Sequence, residues 1–243
     1  MRNLPEQFIR TATLTSVLLV AIAQPATAAI LTNGDFESGS LSGWTVTDQA
    51  GGSGSWFADA PGTTTPFSGL STSGAGGSPH GRTYAVSDQG GPGAHSLRQT
   101  FTVGPSLSVM LSWDMFINNY DSGPFGTALD YTIPRTQIGR VDILSSAATA
   151  FDTGAGVLQN CFIGGAIGGI PNPFTPRSCD ITASVGGGGT FQVRFAEADN
   201  QSNFNMGIDN VGINAQQGAV PEPATLALLG LGLAGLGFSR RKS

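Results

Sequence analysis

Apolar side chains recur at every second position over much of this chain. From 106 to 118 the odd positions hold Leu107, Val109, Leu111, Trp113, Met115 and Ile117. The even positions hold Ser106, Ser108, Ser112, Asp114 and Asn118, with Met110 and Phe116 as exceptions. A period of two sends alternate side chains to opposite faces of a strand, so this stretch predicts one long strand with one face in the core. Leu97, Phe101 and Val103 alternate with Arg98, Thr100 and Thr102 in the strand before it, and Gly104-Pro105 makes the turn. Phe191, Val193 and Phe195 alternate with Gln192, Arg194 and Ala196 after a four-glycine turn at 186–189. Shorter strands are predicted at 43–47, 82–88, 139–144, 155–158 and 205–213, with another around Ser55-Trp56-Phe57. No stretch between the chain ends has a helical period. Eight or nine antiparallel strands over about 190 residues predict one all-β sandwich. Residues 51–81, rich in Gly, Ser and Thr, read as a long surface loop, and 122–135 as a second irregular excursion.

The two ends of the chain follow other rules. Arg2 and Arg10 precede the apolar run Val17-Leu18-Leu19-Val20-Ala21-Ile22-Ala23, and Ala26-Thr27-Ala28 supplies the small residues that a signal peptidase needs. Residues 1–28 therefore read as a signal peptide, leaving a mature domain at 29–219. Residues 220–243 form a tail: Pro221-Glu222-Pro223, an apolar Gly/Leu-rich segment at 224–238, then Arg240, Arg241 and Lys242. As a helix, 224–238 reaches only ~22 Å against a ~30 Å hydrocarbon core. It spans as a single membrane helix if the terminal cations snorkel to the headgroups, with the C-terminus cytoplasmic.

This tail resembles the PEP-CTERM family of bacterial exported proteins. Its sorting residues are Pro221, Glu222, Pro223, Arg240 and Arg241. The resemblance implies an exosortase partner that processes the tail near Pro221-Glu222-Pro223. It also implies transient residence in the inner membrane and a destination at the cell surface or in an extracellular polysaccharide or biofilm matrix.

Composition narrows the picture further. The mature span holds six arginines, no lysine and fourteen acids, a net charge of about −8, which repels nucleic acid. Charged residues are 11% of the chain against a usual ~25%, so Ser, Thr, Asn and Gln must carry solubility. Export through an oxidising compartment makes a Cys161–Cys179 disulfide the expectation.

The opening Asn33-Gly34-Asp35-Phe36-Glu37-Ser38-Gly39 with Gly43-Trp44, and the closing Met206-Gly207-Ile208-Asp209-Asn210-Val211, resemble the galactose-binding-like jelly rolls common among carbohydrate-binding modules. The resemblance implies an antiparallel jelly-roll β-sandwich whose first and last strands lie close together. Asp35, Glu37 and Asp209 are then candidate ligands of a structural calcium ion, the one cofactor expected. Candidate ligand-binding residues are Trp56 and Tyr120, with Asp114, Phe116 and Asn118 on the even face. Trp113, in phase with the core, reads as packing; Trp56 stands between a loop anchor and a ligand platform. His80 and His95 sit in glycine-rich stretches and read as exposed loop histidines, with no nucleophile-base motif beside them. No catalytic residue is assigned. The reading is a non-catalytic binding or structural component of exopolysaccharide, with a protein-contacting adhesin and an extracellular hydrolase as alternatives.

Overall fold

The computed structural model describes residues 30–69, 81–121, 123, 126–165, 171–217 and 230. The signal peptide and, Gly230 apart, the tail segment 224–238 lie outside the described residues, as does His80. No helix among the described residues is long and apolar enough to cross a membrane.

Ten strands make two five-stranded sheets: β1 (Thr45–Asp48), β2 (Ser55–Asp59), β3 (Tyr84–Asp88), β4 (Gly93–Val103), β5 (Ser108–Asn119), β6 (Gln137–Ser145), β7 (Val157–Gly164), β8 (Thr175–Asp180), β9 (Gly189–Asp199) and β10 (Phe204–Gln216). One sheet runs β1-β4-β9-β6-β7 and the other β2-β3-β10-β5-β8, every pairing antiparallel. From β3 onward the chain changes sheet at every step except β6 to β7. The four-stranded sets β4-β9-β6-β7 and β3-β10-β5-β8 that result are the jelly-roll wrap, with β1 and β2 added along one side. The jelly-roll β-sandwich inferred from the chain ends is the fold observed.

The alternation decides which residues face inward. Val109, Leu111, Trp113, Met115 and Ile117 of β5 meet Leu97, Phe101, Val193 and Phe195 of the facing sheet in one continuous core. Phe195 stands at its centre, its ring 5.9 Å from Trp44 and 6.3 Å from Trp113. Leu107 departs from the expectation: it precedes the strand and is 73% exposed. Strand β8, Thr-Pro-Arg-Ser-Cys-Asp, has no apolar alternation because it is a solvent-exposed edge, where Pro176 is tolerated.

The two chain ends close on each other through backbone. Asn210 adopts a left-handed conformation (φ 51°) where the β10–β5 register shifts between Asp209 and Gly212. Asn accepts this conformation more readily than most residues, and the bulge frees the Val211 amide, which donates to Gly34 O at 2.8 Å. A Cβ on residue 34 would fall 2.0 Å from Val211 O, so the approach requires glycine.

Cys161 in β7 and Cys179 in β8 form a disulfide, Cα–Cα 5.7 Å. Since β7 and β8 are the outer strands of opposite sheets, the bond clips the sandwich shut along one side. Closing an 18-residue span contributes ~3 kcal/mol in the chain-entropy model. Replacing both cysteines by serine is therefore expected to lower unfolding free energy by about that much. Chemical denaturation with and without reductant checks it; an unchanged midpoint would count against the clip.

Candidate functional site

Both broad faces of the sandwich are occupied by the chain itself. On the β3-β10-β5 face, Phe116 packs edge-on against Phe174 (4.9 Å, 83°) and Tyr84 (6.2 Å, 79°) and is buried. Asn118 Oδ1 accepts the Asn172 amide at 2.7 Å, and Asp114 Oδ2 accepts Asn210 Nδ2 at 2.8 Å. Trp56 is 3% exposed and belongs to the core. Trp56, Asp114 and Asn118, expected to bind ligand, are thus buried within the fold, while Phe116 lines a pocket of about 140 Å³ with Asn172, Thr175 and Arg177. An alternating even face predicts a surface only if nothing covers it, and the 171–174 segment does. Tyr120 is 41% exposed.

The outer face of the other sheet is roofed by segments 126–136 and 146–156. Asp142 lies between two arginines: Arg140 Nη2 donates to Oδ1 at 2.9 Å, and Arg194 Nε to Oδ2 at 3.2 Å. The arginines also reach up into the roof, Arg140 to Thr127 O at 3.3 Å and Arg194 to Ala150 O and Asp152 O at 3.0 and 2.7 Å. Leu129, Tyr131 and Phe151 fill the remaining space over Ala94, Ala196 and Ala198.

The carboxylates expected to hold calcium are bonded within the chain. Glu37 Oε1 accepts the amides of Arg82 and Thr83 at 2.7 and 3.0 Å, Asp35 Oδ1 accepts the Glu37 amide, and Asp209 Oδ1 accepts the Asn210 amide. Among the described residues no three His, Cys, Asp or Glu side chains are grouped to hold a metal ion. The backbone closure at Gly34 and Val211 joins the chain ends.

A further opening lies at one end of the sandwich. A pocket of about 240 Å³ lies between the β3–β4 turn (Gln89, Gly90, Gly91, Pro92) and the β9–β10 turn (Asn200, Gln201, Ser202, Asn203), with Asp199 in its wall. Tyr120 adjoins it, its amide donating to Asn203 O at 3.2 Å. Behind Asp199 stands Glu197, fully buried, and Gln89 Nε2 donates to both carboxyls, at 2.7 Å to Asp199 and 3.2 Å to Glu197. Burial, with help from the Asp199 charge, holds the Glu197 carboxyl well above the usual range. Burial likewise pushes Asp199 up to about 7, against the opposing hydrogen bonds from Gln89 and the Gln201 amide. His95, expected in an exposed loop, is buried within β4. Its Nδ1 lies 2.8 Å from Asp48 Oδ1, its Nε2 2.9 Å from Ser53 O and 3.7 Å from Glu197 Oε1.

The sequence did hold a signal for this end. Glu197 and Asp199 continue the odd, inward phase of Phe191, Val193 and Phe195, and an acid in core phase is the informative exception.

A carboxyl whose value is raised by folding binds more protons when native, so stability is full below about 3.8 and falls as pH rises towards about 7. Over that window Asp199 costs at most ~4 kcal/mol. Asp199→Asn is expected to raise the melting temperature at pH 7.5 and to flatten the decline. Melting curves from pH 4 to 8 check it, and a parallel slope in the variant would refute the assignment.

No curated protein matches the chain in sequence. Among solved structures the sandwich is similar to TmCBM61, a structure in complex with β-1,4-galactotriose, at 9% identity and TM-score 0.48, covering 78% of this chain and 100% of that one. It is also similar to the K1 cleaved adhesin domain of Lys-gingipain from Porphyromonas gingivalis (13%, TM-score 0.47, 75% and 96%). A third similarity is to a family 11 carbohydrate-binding module from Clostridium thermocellum (10%, TM-score 0.39, 75% and 94%). Beyond the sandwich, residues 219–242 match the PEP-CTERM protein-sorting motif, and the chain therefore carries that sorting signal at its C-terminus.

Proposed function

We propose that this is an exosortase-sorted envelope or matrix protein whose sandwich binds glycan, without catalysis, through the pocket between the β3–β4 and β9–β10 turns. The observation that carries the reading is the position of that pocket relative to the tail. Strand β10 starts at Phe204, directly after the pocket-forming turn, and its 13 residues end at Gln216, shortly before the tail in sequence. At ~3.3 Å per residue the pocket lies roughly 40 Å from Gln216, at the opposite end of β10. This arrangement supports a pocket directed away from the side on which the sorting tail leaves the sandwich. Asn200 and Gln201 hold the turn through bonds to Tyr131, Ile133 and each other, while Ser202 and Asn203 add polar side chains to the lining, and the volume limits the site to a short or terminal saccharide. The processed protein, collected from its host and tested against a glycan array, should bind at least one polysaccharide class. Absence of binding to every glycan would overturn the reading.

A further inference from the structure

We infer that the pocket selects glycans bearing a free amino group, the unacetylated amino sugars, over neutral and anionic ones; this rests on the glycan-binding reading above. The pocket is rich in acceptors and poor in free donors at its charged wall. Asp199 is the one ionisable side chain among the lining residues, and no lysine or arginine is among them. The Gln89 donor group is already spent on Asp199 and Glu197, while its carbonyl Oε1 has no hydrogen-bond partner, in a side chain only 2% exposed. Glu197 Oε1 behind it likewise accepts no hydrogen bond, with His95 Nε2 3.7 Å away. Buried acceptors without donors are costly, and an incoming group that supplies donors recovers that cost. An alkylammonium carries three donors, no acceptor and a positive charge, whereas a hydroxyl carries one donor and no charge. A uronate would bring a second negative charge to Asp199.

The surroundings reinforce the choice. Asp88 at the end of β3 and Asp48 on β1 add negative charges on the same side, with His95 of β4 between Asp48 and the buried Glu197. An ammonium at Asp199 favours the ionised carboxyl, so binding is coupled to loss of the Asp199 proton. Affinity should rise between pH 5.5 and 7, and it should weaken with added salt.

The test is titration calorimetry of the exported protein with four probes: a glucosamine tetramer, its fully N-acetylated counterpart, a galacturonate tetramer and tetralysine. The glucosamine tetramer should bind at least about tenfold more tightly than the N-acetylated form, with no binding of galacturonate. Asp199→Asn, checked for an unchanged or raised melting temperature, should lose that preference. Equal affinity for the free and acetylated sugars overturns the inference and leaves the glycan reading intact. Tetralysine binding as well as the glucosamine tetramer, with Asp199→Asn indifferent, would mean attraction to the acidic surface alone and also overturns it. If no probe binds and the array is blank, the glycan reading itself fails.

Discussion

Replacing Asp142 by alanine is expected to cost the domain about 3–5 kcal/mol, the range for removing one partner from a buried ion pair. Arg140 and Arg194 both lose their counter-charge, and Arg194 is wholly buried. Desolvation already holds the Arg194 guanidinium below its ordinary value, with Asp142 as the main opposing influence. Without it two cations face each other inside the protein. The damage extends beyond the pair, because these arginines also hold Thr127, Ala150 and Asp152 carbonyls of the roof. For a domain of this size the loss corresponds to roughly 10 °C in melting temperature. Cleavage by a nonspecific protease should move into segments 126–136 and 146–156. Asp142→Asn, which keeps an acceptor but not the charge, should fall between the wild type and Asp142→Ala. A change below about 1 kcal/mol in urea unfolding for Asp142→Ala would show that the triad is not what secures the roof.

Truncating Phe195 to alanine should be comparably severe, about 3–5 kcal/mol. The side chain is fully buried and bridges Trp44, near the start of the domain, to Trp113 in the facing sheet. Two indole rings fixed by neighbouring strands cannot collapse into the space, so a cavity remains beneath both. Phe195→Leu retains much of the volume and should cost less than half as much. Equilibrium unfolding of the two variants separates these outcomes, and equal losses would mean that cavity volume is not the cause.

The resemblance at the chain ends foresaw the jelly roll, but not the backbone closure that joins its ends. Asn33-Gly34 and Asp209-Asn210-Val211 do meet, through a left-handed Asn210, a bulge and one backbone hydrogen bond. Bulge formation depends on the pairing of β10 with β5, more than ninety residues away in sequence, so no local pattern announces it. Edge strand β8 was invisible for a related reason: with no buried side it needs no apolar period.

The candidate site was the least legible part. Alternation placed Asp114, Phe116 and Asn118 on one face, and they do share one. Phe174, Tyr84 and Asn172 then cover it, and those covering residues lie 32 positions before to 58 positions after Phe116 in the chain. The pocket is made by two turns whose residues, Gln89–Pro92 and Asn200–Asn203, have an unremarkable polar composition.

By itself, then, the sequence determined the strands with a clear period of two, the inward placement of Trp113, the pairing of two cysteines in an exported chain, and the sorting tail. Each follows from a local rule: side-chain alternation, redox compartment, or an ordered run of residue types. The tertiary structure alone decided which faces are covered, that Trp56 and His95 are buried, and that Gln89, Glu197 and Asp199 share hydrogen bonds at the open end. Burial and electrostatics at a position depend on residues brought there from distant parts of the chain, and a periodic pattern contains no information about which ones they are.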